Sequence, residues 1–336
     1  MTQTTTAVGQ IGKRARRARA LLHPVRLATL AIALMAVQPA NALIITADYS
    51  DGSAATNFGA NFVAFQAAFA TASSLIASNF TDNIHVNIAV HGAAGTSILG
   101  QSNTPIFTTS YAAMRAAAIA DVTTADDATS VGPGGSIVAV DPVVAAHTWF
   151  FTRAQRKALG IVADDLVNDG TATFGAGFIY NFNRMGQTAN QFDLIGVMMH
   201  EISEIMGRIG ISGGTIGPFP NSYTLLDDLS YTGPGAKGLG GGFGNFFSID
   251  NGTTLLKGFN GVAGGDTRDW ASGTNDSFNA FSGPGVQNDL TNVDLRVIDV
   301  LGYDRIRAIV IPEPGSLALL GLGLAGLAAT RRRTRK

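Results

Sequence analysis

Between Phe192 and Met206 the chain places Phe192, Leu194, Ile195, Val197, Met198, Ile202, Ile205 and Met206 on a helical period, and among them stand His200, Glu201 and Glu204. A helix this apolar has to be buried, and a buried charge without a partner is costly. Whatever packs around it must therefore answer three ionisable groups lying within two turns. The reading opens the helix near Asp193, and Gly207 and Gly210 loosen its end. The glutamates are outliers in their own right. The whole sequence of 336 residues has three, and the third, Glu313, lies in Pro312-Glu313-Pro314.

The two ends carry eleven of the 23 basic residues and are read separately. Residues 1–42 contain Lys13, Arg14, Arg16, Arg17, Arg19 and Arg26 with no acid, then an apolar run from Leu27 to Val37, then Ala40-Asn41-Ala42. That order predicts a signal peptide cut by signal peptidase after Ala42. The apolar run is short of the roughly 20 residues a membrane span needs. Arg16-Arg17 hints at the twin-arginine route as against the general one. Residues 312–336 join the Pro-Glu-Pro motif to the apolar stretch Gly315 to Thr330 and the cluster Arg331-Arg332-Arg333-Thr334-Arg335-Lys336. This tail resembles the PEP-CTERM sorting signal that exosortases recognise in Gram-negative bacteria. It implies a transient anchor helix in the inner membrane, with its basic cluster cytoplasmic. A plain C-terminal anchor is the alternative, and both place residues 43–311 outside the cytoplasm, in the periplasm or envelope or released from the cell.

That body has 12 basic residues against 23 acidic ones, so the whole-chain charge of -1 conceals a net of -11. Nucleic acid is excluded as an expected partner, because a phosphate-binding face needs clustered Lys and Arg. Cysteine is absent, so this exported chain has neither a disulfide frame nor a thiolate nucleophile. Composition predicts an α+β fold. Strands are expected at Leu43–Tyr49, Ile84–Val90 and Ile137–Val140. Helices are expected at Asn61–Asn79, with Phe62, Phe65, Phe69 and Leu75 inward, and at Ser110–Asp121. From Ser212 to Asp304 the sequence is crowded with Gly, Asn, Asp, Thr and Ser. Short strands and Asx turns are expected there, before a regular segment at Asp294–Leu301.

On a helix, residues i and i+4 stand one above the other, so His200 and Glu204 can aim a nitrogen and an oxygen at one metal ion. Glu201 is rotated by about a third of a turn and would stand beside that ion as a general base. This is the logic of the zincin motif His-Glu-x-x-His, with Glu204 in place of the second histidine. The carboxylate lowers the Lewis acidity of such a site. The longer metzincin pattern is matched at Gly207 but has Gly210 where a third histidine would stand, so the third ligand must come from elsewhere.

With its flanks, His200-Glu201-Ile202-Ser203-Glu204-Ile205-Met206-Gly207-Arg208 resembles a group of secreted, PEP-CTERM-sorted metalloproteases. Further matching pieces are Thr124 to Ala128, Lys157 to Gly160, the Leu226-Asp227 region, Phe247 to Asp250, Gly265-Asp266 with Asp269-Trp270-Ala271, and Asp294-Leu295 with Asp299 to Tyr303. The resemblance implies a zincin-like domain built round a metal-site helix and acting on protein or peptide substrates. Asp227, about twenty residues beyond the helix, is taken as third zinc ligand, with Asp228 beside it; turn capping is their other reading. His147, His85 and His91 rank lower as ligands, and Tyr223 and Tyr231 as oxyanion donors. Calcium in the stretch Asp250 to Asp276 competes with plain turn chemistry. The contrasting function is a non-catalytic envelope or matrix protein with a structural or vestigial metal site.

Overall fold

The structure is a computed structural model describing residues 43–241 and 243–306; the signal peptide expected at 1–42 and the sorting tail with its anchor helix at 312–336 lie outside them. One mixed sheet supports the site. Its strands β1 (Ile44–Asp48), β2 (His85–Ala93) and β6 (Gly170–Gly175) run parallel, and β3 (Gly100–Asn103) closes the edge antiparallel to β6. The alternation read in β2 is real: Val86, Ile88 and Val90 are buried, while His85, Asn87, Ala89 and His91 are only partly so.

Helix α1 (Ser53–Phe58) leads into α2 (Phe62–Ala77), which packs on β1 and on α6 (Leu194–Ile205); α6 in turn packs on β3 and β6. In α2 the buried apolar residues are Phe65, Ala68, Phe69, Ala72 and Ile76, and each large apolar side chain so buried contributes about 1.5–3 kcal/mol. Leu75, expected inward, is exposed, because the face set by Phe65 and Phe69 reaches Ile76 one residue later. A short parallel pair, β7 (Tyr180–Asn181) with β8 (Phe192–Asp193), feeds α6.

A second sheet has the order β4-β5-β10-β9, from β4 (Ile106–Thr109), β5 (Thr148–Thr152), β9 (Gly214–Ile216) and β10 (Phe219–Thr224). The third, in the glycine-rich half, has β11 (Ser230–Gly233), β12 (Ala236–Lys237), β13 (Phe246–Phe247) and β14 (Lys257–Gly258) in the order β12-β11-β13-β14. The strand expected at Ile137–Val140 does not form: Ile137 is buried, but its N–H goes to the Ser130 carbonyl at the end of a helix and no strand pairs with the segment. The remaining helices are α3 (Tyr111–Ala120), α4 (Ala125–Val131), α5 (Arg153–Ala158), α7 (Leu225–Asp228) and α8 (Asn292–Val300). Three of these, α4, α7 and α8, start with the same device. Thr124, Thr224 and Thr291 each accept the N–H of an aspartate three residues on, whose carboxylate returns to the threonine N–H.

Candidate metal centre

Helix α6 is buried almost all round, and only His200 among its residues is partly exposed. Its end is set by Gly207 at φ 119°, a left-handed conformation that costs glycine little. The helix lies under a cleft of about 590 Å³ lined by β3, by His200, Glu201 and Glu204, and by the loops that carry Asp266, Asp269 and Ser277.

His200 Nε2 lies 3.2 Å from Glu204 Oε1 and 3.5 Å from Asp269 Oδ1. These three donor atoms all fall within 4.8 Å of one another, and no other such trio of His or carboxylate donors occurs among the described residues. The other imidazole nitrogen, Nδ1, donates to the Ser277 carbonyl at 2.9 Å, which orients the ring with Nε2 facing the two carboxylates. From the edge strand, Ser102 Oγ donates to Glu204 Oε2 at 2.7 Å. Arg208, buried under the Phe278 ring, donates through Nε to Ser203 Oγ at 2.7 Å and through its terminal nitrogen to Asp269 Oδ1 at 2.5 Å. It thereby fastens the loop bearing Asp269 to the helix, and it also stands 3.6 Å from Glu204.

The charges are strongly coupled. Burial opposes a charge on His200, but Asp269 and Glu204 outweigh it and raise its pKa to about 10. Burial likewise opposes ionisation of Glu204, yet His200, Arg208 and the Ser102 hydroxyl bring it down to about 2. Glu201 goes the other way: burial, reinforced by the neighbouring Glu204 carboxylate, pushes it well above the usual range. Its carboxylate accepts no hydrogen bond from the described residues. Gly100 of β3 lies directly over it, and a Cβ there would come 2.4 Å from Glu201 Oε1. The glycine is what allows the edge strand this close.

The donors fit zinc. Two ligand atoms each ~2 Å from a tetrahedral zinc stand roughly 3.3 Å apart, the spacing His200 already keeps with both carboxylates. Asp269 completes this trio, and the sequence reading did not name it as a ligand, although Asp269-Trp270-Ala271 was among the stretches carrying the family resemblance. Asp227, assigned that role, is placed elsewhere. Its Oδ2 accepts the N–H groups of Thr224, Ile211 and Ser212, and its Oδ1 pairs with Arg268 Nε at 2.8 Å, so the fully buried carboxylate is spent on capping α7 and neutralising Arg268. Asp228 is held by Lys237 and by the Tyr111 hydroxyl.

His147 pairs with Asp141 against Trp149, His85 with Asp164, and His91 lies 3.5 Å from Asp51, all outside the cleft. Tyr231 donates to the Ser136 carbonyl, and Tyr223 packs on Trp149. In the stretch weighed for calcium, Asp250 receives Thr254 N–H and the Ser248 hydroxyl in a turn, and Asp276 pairs with Lys257.

Residues 310–333 match the PEP-CTERM protein-sorting motif. The chain carries an exosortase sorting signal. The motif implies export, processing by an exosortase and delivery to the cell surface, in agreement with the reading of the tail. No curated protein and no solved structure matches the chain.

Proposed function

We propose that the exported domain is a zinc-dependent metallopeptidase of zincin-like design, with His200, Glu204 and Asp269 as ligands and Glu201 as general base. The observation that carries this reading is the convergence of His200 Nε2 on two carboxylates at ligand spacing, on the floor of the cleft. Bound zinc would supply Lewis acidity, polarising a carbonyl oxygen and acidifying water. The chain's own groups supply the rest. Glu201 faces the cleft with its carboxylate uncommitted, where it can take a proton from water bound beside His200 and Glu204 and return it. Among the described residues β3 pairs only with β6, so its other edge presents unpaired backbone groups along the cleft. An extended peptide can add there as a further strand, which favours peptide bonds over other hydrolysable groups.

One observation favours a non-catalytic envelope protein instead. Arg208 already neutralises Asp269 and approaches Glu204, so the acids are partly answered without an ion. Casein hydrolysis by the exported protein and its Glu201→Gln variant separates the two. Glu201→Gln should keep its zinc and lose at least ~100-fold in rate. No hydrolysis by the zinc-loaded wild type, or equal rates for both proteins, would refute the enzymatic reading.

A further inference from the structure

Five carboxyl groups line the cleft, those of Glu201, Glu204, Asp266, Asp269 and Asp276, against the guanidinium groups of Arg208 and Arg268 and the His200 imidazole. Nearly all of this charge is answered within the fold. Arg208 is bound to Asp269, Arg268 to Asp227 and Lys257 to Asp276, while Glu204 and Asp269 converge on His200. With Glu201 set aside as the base, one charge is left over. Asp266 is exposed in the cleft, and its carboxylate has no hydrogen bond and no ion pair with any described residue. Both guanidinium groups of the lining are already taken, so no cation of the cleft is free to meet it.

The turn that carries Asp266 is nevertheless firmly held. The Asp266 carbonyl accepts the Asp269 N–H at 3.3 Å and Nδ2 of the buried Asn260 at 3.2 Å. Thr267 Oγ1 meets Ser212 Oγ at 2.8 Å, and the next two residues are the paired Arg268 and Asp269. A fixed backbone thus presents a free carboxylate three positions from one of the proposed zinc ligands. Asp266 belongs to no trio of donors at ligand spacing, so its charge is not spent on the ion.

The segment Ser277 to Phe281 runs beside this turn, tied by the Trp270 N–H to the Phe278 carbonyl at 2.9 Å and by the Ala280 N–H to the Trp270 carbonyl at 3.0 Å. Ser277 Oγ and Asn279 Oδ1, both from residues that line the cleft, are buried without a hydrogen-bond partner. Asn279 gives its amide N–H to the Thr274 carbonyl, which leaves Oδ1 to accept. Phe281 is 44% exposed, and its ring reaches Gly265, where a Cβ would come 3.0 Å from the ring Cζ. A free carboxylate, buried acceptor oxygens and an aromatic ring side by side suit a group that is cationic at its tip and apolar along its stem.

We infer that Asp266 selects the substrate: the cleft takes an extended peptide with a lysine or arginine beside the site, its charged head on Asp266 and its stem along Gly265 and Phe281. An acidic side chain in that place would meet a like charge and find no free cation. The inference rests on the peptide cleft of the metallopeptidase reading, though not on turnover. The N-terminal ammonium of a peptide has the same charge without the stem, and the experiment separates the two.

Calorimetric titration of the full-length exported Glu201→Gln protein, equilibrated with zinc, tests it. The probes are alanine heptapeptides, acetylated and amidated, with lysine, norleucine or glutamate at the centre, and an all-alanine heptapeptide with a free N-terminus. The lysine peptide should bind at least ~10-fold tighter than the norleucine peptide, the glutamate peptide should bind weakest, and the free N-terminus should gain nothing. Adding Asp266→Asn should leave the zinc in place and bring the lysine and norleucine peptides to within ~3-fold of each other, and adding Asp266→Lys should turn the preference toward glutamate. Equal binding of lysine and norleucine peptides, no binding of any peptide, or a preference that survives Asp266→Asn would overturn the inference. So would tightest binding by the free N-terminus, or loss of zinc in Asp266→Asn. Cleavage of the same peptides by wild-type protein is read separately. The expected binding order without any cleavage would refute the hydrolytic reading and leave this one standing, whereas cleavage of all of them at equal rates would do the reverse.

Discussion

Removing the Asp227 carboxylate separates its structural task from the ligand role first assigned to it. In Asp227→Ala the Arg268 guanidinium, buried and 2.8 Å from Asp227 Oδ1, loses its countercharge. Breaking a buried pair from one side costs about 3–5 kcal/mol. The cap of α7 goes with it, for about 1 kcal/mol, and the Ile211 and Ser212 N–H groups lose their acceptor. These terms share one site and do not add fully, so a net loss of about 4–5 kcal/mol is expected, a large part of the 5–15 kcal/mol that holds a typical domain. Denaturant unfolding of the variant, followed by fluorescence of Trp149 and Trp270, measures that loss, and metal analysis of the fraction still folded measures zinc. The expectation is severe destabilisation with zinc retained at full occupancy. A variant within about 1 kcal/mol of wild type that has lost its zinc would refute this placement and restore Asp227 as a ligand.

Two further outcomes are expected. Asp82, Asp121 and Asp299 meet near Asp304 where α3, α4 and α8 converge, and burial, with the charges of neighbouring aspartates, raises their pKa values to about 7, 8 and 7. Acids whose folded pKa is raised add stability that is fully present below the unfolded value near 4 and is lost as pH rises through 7 to 8, so Tm should fall by at least about 4 °C from pH 5 to pH 8 and Asp121→Asn should flatten the slope; a Tm that climbs over this range would contradict it. In Gly100→Ala the new Cβ falls 2.4 Å from Glu201 Oε1, so zinc should stay while hydrolysis drops at least ~10-fold, and unchanged kinetics would show that Glu201 is not fixed by the edge strand.

What the sequence made legible was local. The i,i+4 spacing of His200 and Glu204, the apolar face of α6 and the alternation of β2 are written within a few residues, and the folded chain keeps all three. Asp269 was not legible as a member of the trio, because it comes to the site on a loop without regular structure, fixed to the helix by Arg208 61 positions earlier. Nothing in spacing encodes such an approach. Asp227 was chosen as a ligand candidate for an instructive reason. It stands three residues after Thr224, the spacing of a capping box, and the same Thr-x-x-Asp pattern opens α4 and α8. Since the body's only two glutamates are in α6, aspartate takes the place glutamate commonly has in that motif, so the same residue could be read as a cap or as a ligand. The phase error at Leu75 is of another kind: Ala68 and Ala72 complete the inward face of α2, and small residues weigh little when a face is chosen from its large ones.

Metal content tests the central claim most directly. Exported protein equilibrated with zinc and freed of excess should hold about one zinc per chain, retained in Glu201→Gln and lost in His200→Ala and in Asp269→Ala. Folded wild-type protein that holds no zinc after this loading, or full zinc in both ligand variants, would contradict the account.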